Sequence, residues 1–313
     1  MKTIKFISVS ILLGQCAFGA AFGDDLSVQI QATRSACSGI SDAMTNLKKM
    51  AGINTAVTAV GTVTGGVALG TGIAKASVDR ELEALIEKVK KLIDEKSKIP
   101  VEKIDIENRS EFDNQLMEIS GSISSTNEKI SQLEQKSKTL GNVRTGTLAT
   151  TAVVDTAGTI IAVKNQVDDD LQSRIDNCVA QVKKLQTAKA SAQVAETADS
   201  ADISKATQII SACRDWEYVN LTDINKKARG AAISSGTGAA LAVVGTITSA
   251  SANSSTVRSG ENKDKEKNLN TASNVLAGGA TGASAVATIF NATQIGAIKK
   301  AVATADKCEE ALN

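Results

Sequence analysis

Four stretches of this chain, at about residues 50–74, 145–163, 230–256 and 270–298, carry one ionisable side chain among them, Asp155. They consist mainly of Gly, Ala, Thr, Val and Ser, and strongly charged sequence separates them. A chain with this alternation must find a place for four uncharged blocks, and that limits its architecture. In the first block Ile53, Val57, Val60, Thr64 and Val67 share one helical face. Thr58, Gly61, Gly65, Ala68 and Gly72 share another. The third block sets Ser234, Gly238, Ala242, Thr246 and Ala250 at four-residue steps, and the fourth does so with Gly279, Ala283 and Ala287. Small residues at this spacing let helix backbones approach closely. In water such faces make a tight bundle core, with Val and Ile filling the remaining space. In a bilayer the longer blocks satisfy the length of a span. Against that reading stand the diluting Thr, Ser, Gly and Asn and the lack of an aromatic belt.

The charged stretches carry heptads. Leu26, Ile30, Thr33, Cys37, Ile40, Met44 and Leu47 step by alternating fours and threes. Val78, Leu82, Leu85, Val89 and Leu92 continue the pattern, as do Phe112, Leu116, Ile119, Ile123, Thr126, Ile130 and Leu133. Leu171, Ile175, Cys178, Val182 and Leu185 form a further seam. This is the packing stripe of antiparallel coiled coils. With a single proline, Pro100, the chain reads as all-α. Lys98-Ile99-Pro100 ends one helix, and Ser110-x-x-Asp113 restarts the next with a capping-box-like pattern. Asp199-Ser200-Ala201-Asp202 and the polar run around Gly260 mark two more turns. The expectation is four long helices, at about 25–98, 110–196, 202–257 and 262–312, kinked at glycine-rich points. They make an elongated antiparallel four-helix bundle of two hairpins. One hairpin covers 24–198, turns at 100–110 and extends as a coiled-coil arm over about 76–140. The shorter one covers 199–313 and turns near 258–262.

The halves echo each other in order. Ser35-Ala36-Cys37 returns as Ser211-Ala212-Cys213, and Lys48-Lys49-Met50-Ala51-Gly52 as Lys226-Lys227-Ala228-Arg229-Gly230. Val60-Gly61-Thr62 returns as Val244-Gly245-Thr246, and Asp176-Asn177-Cys178 as Asp306-Lys307-Cys308. Together these suggest an internal duplication.

Residues 1–23 read as a bacterial-type secretory signal: Lys2 and Lys5, an apolar Phe6–Leu13 core, then Ala21-Phe22-Gly23 before Asp24. Gln15 before Cys16 argues against a lipid anchor. Removal of the leader takes both lysines and turns the formal charge from +1 to −1. An exported chain, periplasmic or extracellular, would keep Cys37, Cys178, Cys213 and Cys308, an even set that favours two disulfides. The midpoint of Cys37 and Cys178 falls in the 100–110 turn, and that of Cys213 and Cys308 at Gly260–Glu261. Hairpin arms of equal length therefore favour those pairs. Cys178 with Cys213 and Cys37 with Cys308 passes the same test, because the former pair centres near the third turn.

No catalytic, cofactor or metal set is legible. With no histidine, every Ser–His, Cys–His and His–metal site is excluded. Near-neutral charge and 2% aromatics argue against nucleic acid. Asp168-Asp169-Asp170, Lys48-Lys49 and Lys226-Lys227 read as solvated charge. Trp216-Glu217-Tyr218 reads as aromatic packing over a hairpin end, and Asp155 as a cap, a threonine partner or a solvent-facing group. The expected function is non-enzymatic: a helical bundle of the cell envelope or exterior. It would act by structural or protein–protein interaction through its arm, with an unidentified protein partner or by self-association. The alternative is a membrane-active or pore-forming protein that uses the four uncharged blocks.

Overall fold

The repeated three-and-four spacing of apolar and small residues becomes helix almost everywhere. The computed structural model describes residues 26–99, 109–196, 198–254 and 263–313. The leader, Cys16, most of the 100–110 turn and the turn near 258–262 lie outside them. Seven α-helices occur in the described residues: α1 Leu26–Cys37, α2 Ile40–Ser97, α3 Arg109–Lys164, α4 Asp169–Ala195, α5 Ser200–Cys213, α6 Leu221–Ala252 and α7 Lys263–Leu312. A five-residue 3-10 turn, Arg214–Tyr218, joins α5 to the α6 approach. The all-α class expected from sequence is what the chain adopts, and no strand occurs among the described residues.

Three of the four long helices are interrupted, and not at the glycine-rich blocks where kinks were expected. The first breaks at Ser38-Gly39, where Gly39 takes φ 67°, a conformation open to glycine. The second breaks at residues 165–168, and Asp168 then caps α4 by accepting from the Leu171 N–H at 2.8 Å. The triplet Asp168-Asp169-Asp170 is therefore a cap and a first turn, placed where negative charge meets the helix dipole. The third breaks at the 3-10 turn, and Asn220 restarts α6 by accepting from the Asp223 N–H at 2.9 Å. The blocks themselves run through as continuous helix, held by tertiary packing despite their glycine content.

Two four-helix sections stack along one axis. In the larger, α2 packs on α3 and α7, and α6 packs on the same two, so α2 faces α6 across one diagonal and α3 faces α7 across the other. In the smaller, α1, α4, α5 and the C-terminal half of α7 take those places. At 1.5 Å per residue α7 is roughly 75 Å long and ties the sections together. Beyond the larger section α2 and α3 continue as a two-helix arm. No described residue of α2 from 80 onward is buried, and among the residues of α3 before Ser137 whose side chains are described Thr126 is the one buried.

The small section has an ordinary water-soluble core. Ile40, Met44, Ile175, Leu185, Ile209, Ile224, Ile298 and Trp216 are buried there beside both disulfides. Cys37 pairs with Cys178 and Cys213 with Cys308, at Cα–Cα distances of 4.7 and 4.5 Å. Of the two connectivities open in the sequence, this is the one in which each hairpin bridges its own arms.

Candidate functional site

The larger section inverts that arrangement. Its buried positions are mostly small residues: Asn54, Thr58, Gly61, Gly65, Ala68, Gly72 and Lys75 on α2, the expected stripe, then Ser235, Gly238, Ala242, Gly245 and Ser249 on α6. The four-step stripes expected in the third and fourth blocks are buried only in part, since Ala250 and Gly279 are exposed. Its branched apolar residues point outward. Val60 is 50% exposed, Val153 71%, Ile247 62% and Ile289 63%. The expectation that Val and Ile fill the space between helices is thus overturned. Glycine and alanine bring the backbones too close for them, and the larger side chains are left outside. Val244-Gly245 is also not the structural counterpart of Val60-Gly61. Gly61 stands opposite Gly238, whereas Gly245 lies against Leu148.

The outward-facing apolar residues line up across the bundle. On α2 they run from Ile53 to Ile73 and on α3 from Val143 to Val163, antiparallel and level. Ile233 to Ile247 on α6 and Val275 to Phe290 on α7 fall within the same slab. It is roughly 30 Å thick at 1.5 Å per residue, the thickness of a bilayer's hydrocarbon core. Among the described residues four helices are long and apolar enough to cross a membrane, and only 28–33% of the positions in their most apolar stretches are buried. Threonine does not spoil the slab. Exposed Thr150 and Thr237 and half-buried Thr248 each donate to the carbonyl four residues earlier, at 3.0, 2.9 and 2.6 Å, so their hydroxyls need no water.

The axis of the slab is polar. Near its disulfide-end boundary Gln294 donates to the Asn165 backbone carbonyl at 2.9 Å. One turn inward Asn54 donates to Asn291 at 2.8 Å, and Asn291 donates to Thr58 at 3.3 Å. At mid-slab Asp155 is fully buried and accepts a 2.6 Å hydrogen bond from Ser284. A Cβ on Gly61 or on Gly238 would collide with its carboxyl oxygens, so two glycines make the cradle in which it sits. Asp155 therefore neither caps a helix nor faces water. A Thr64–Thr151 hydroxyl pair at 2.8 Å follows, then an apolar layer of Leu148, Ala68 and Ala277.

Two buried cations close the arm end, and neither was singled out in the sequence. Arg144 donates to Ser249, Asn274 and Asn270 at 3.0, 2.9 and 2.7 Å, all neutral acceptors. Lys75 binds Asp79 at 2.6 Å and Glu266 at 3.2 Å, and Ser137 donates to Asp79 at 2.6 Å. The signal existed: extending the Gly65–Ala68–Gly72 seam by three residues lands on Lys75. At the opposite boundary Lys48, Lys49, Lys164, Lys226, Lys227, Arg229, Lys299 and Lys300 gather on four helices, with Asp223 paired to Lys227. Trp216 is buried in the disulfide-end core, while Tyr218 is exposed.

Cys37, Cys178 and Cys308 bring their sulfurs within 4.8 Å of one another, the one metal-compatible grouping among the described residues. Those sulfurs are spent in disulfide bonds. Comparison with family models, curated proteins and solved structures yields no match to this chain.

Proposed function

We propose that this protein is an exported, non-enzymatic helical bundle that inserts into membranes, its four uncharged blocks spanning the bilayer. The reading rests on the outward-facing apolar slab, level on four helices and as thick as a hydrocarbon core. A water-soluble bundle keeps its branched side chains inside, because burying each favours the fold by about 1.5–3 kcal/mol. Here they point out, and the polar groups pair along the axis, where hydrocarbon would otherwise leave them unsatisfied. Close contact of small residues is a driving force that operates in lipid without a hydrophobic effect. The basic collar at the disulfide end suits anionic headgroups. This placement leaves the α2–α3 arm on one side of the membrane, clear of the bundle and open to a protein partner.

The test is salt-resistant flotation of the oxidised mature chain with anionic vesicles, for wild type and Val60→Asp. Wild type is expected to float. Val60→Asp is expected to stay at the bottom, since an aspartate at the bilayer centre is opposed by about 2.5–3.5 kcal/mol. Its helicity in buffer should match wild type, because the Val60 side chain lies outside the packing. A wild type that floats at no pH between about 8 and 5, or a variant that floats equally, overturns the reading.

A further inference from the structure

Asp155 is the one ionisable residue in the four blocks, and it sits at the middle of the slab. One of its oxygens accepts from Ser284, and the other, Oδ1, is buried with no partner. Two more buried oxygens near it are unpartnered, Asn54 Oδ1 and Ser235 Oγ, both within 4 Å of where a Cβ on Gly158 would sit, one turn along α3 from Asp155. No ionisable group faces the carboxyl from α2, α6 or α7, since residues 50–74, 230–252 and 270–298 carry none. Along its own helix the nearest charges are Lys164, nine residues away in the basic collar, and Arg144, eleven residues away and engaged by Ser249, Asn270 and Asn274. The glycine cradle leaves no room beside the carboxyl for a hydrated ion, so the proton is the cation that fits.

We propose that the Asp155 layer is a proton-binding site that governs insertion: the bundle enters the bilayer when Asp155 carries a proton. The inference rests on the membrane reading above. An ionised carboxylate with an unpaired oxygen is the single charge that would have to cross to mid-bilayer, and such a passage is strongly opposed. Taking up one proton removes that charge from the unpartnered carboxyl. Nothing else in the slab has to change.

The experiment measures salt-resistant flotation of the full oxidised chain with phosphatidylglycerol-containing vesicles between about pH 8 and pH 5. It compares wild type, Asp155→Asn and Asp168→Asn. Wild-type insertion is expected to rise about tenfold or more over this range. Asp155→Asn, uncharged and of the same shape, is expected to insert at every pH to the extent wild type reaches at the acid end. Asp168→Asn keeps its helix cap and should retain the wild-type profile. Far-ultraviolet circular dichroism at the alkaline end checks that Asp155→Asn remains helical with both disulfides intact. An Asp155→Asn profile that still follows wild type overturns the proton site while leaving the membrane reading intact, as does a wild type that floats equally at all pH. A wild type that floats at no pH overturns the membrane reading itself.

Discussion

The two stacked sections share helices and opposite polarities. At the disulfide end, Leu, Ile, Met and Trp fill the interior and charge covers the outside. Within the slab, Gly, Ala, Ser, Thr, Asn and Asp155 fill the interior, and Val and Ile cover the outside. Because α7 passes through both, the difference is not one of secondary structure or propensity. It lies in which side chains each section encloses. A core of large apolar residues is stabilised by leaving water. An interior of small and polar residues gains little that way and is held by close backbone contact and hydrogen bonding. The disulfides lie in the first kind of section, where they limit the unfolded chain, and not in the second.

This contrast can be tested by treating the sections separately. The largest effect is expected on reduction. The bridges join residues 141 and 95 apart, and each should contribute about 5 kcal/mol in chain-entropy terms. Reduction should melt the disulfide end at a much lower temperature, read by Trp216 fluorescence. Helicity of the vesicle-bound slab should persist, since lipid enforces backbone pairing. Equal loss in both sections would break the comparison.

A smaller effect should separate two adjacent glycines. A Cβ on Gly65 would press on Thr281, including its backbone, whereas one on Gly66 would meet nothing within 4 Å. Gly65→Val is expected to destabilise the bundle by about 1–3 kcal/mol, and Gly66→Val to stay within about 0.5 kcal/mol of wild type. Thermal melts in vesicles measure both. Similar melts would mean that the small-residue seam is not the packing face.

The smallest effect should come from the arm. Asp79 and Ser137 are level and hydrogen-bonded, so residues 80–136 can be removed by joining them through a short turn. Flotation and the Trp216 melt should be unchanged within error, because the arm buries almost nothing against the rest. Loss of the fold would show the arm to be part of the bundle.

Much of this is legible in the sequence. The stripe Leu26, Ile30, Thr33, Cys37 has the spacing of a seam, and all four are buried. Equal arm lengths favoured the disulfide pairs that form. The small-residue face of the first block, Thr58 to Gly72, is likewise the buried one. What could not be read was which of its two faces points in, since helical periodicity separates faces without assigning them to core or surface. Nor could the burial of Lys75, Arg144 and Asp155 be foreseen, because charge on a helix is ordinarily a surface property.

The sequence by itself determined that this chain is helical and that four blocks carry almost no charge, and it narrowed its cysteines to two hairpin-compatible pairings. Those properties are local, or follow from counting along equal arms. Only the tertiary structure decided that the blocks turn their branched side chains outward and gather their polar groups on the axis. That choice depends on how near four backbones can come at once. Gly61 and Gly238 set that distance jointly from helices far apart in the chain, and the space they leave is filled by the carboxyl of Asp155.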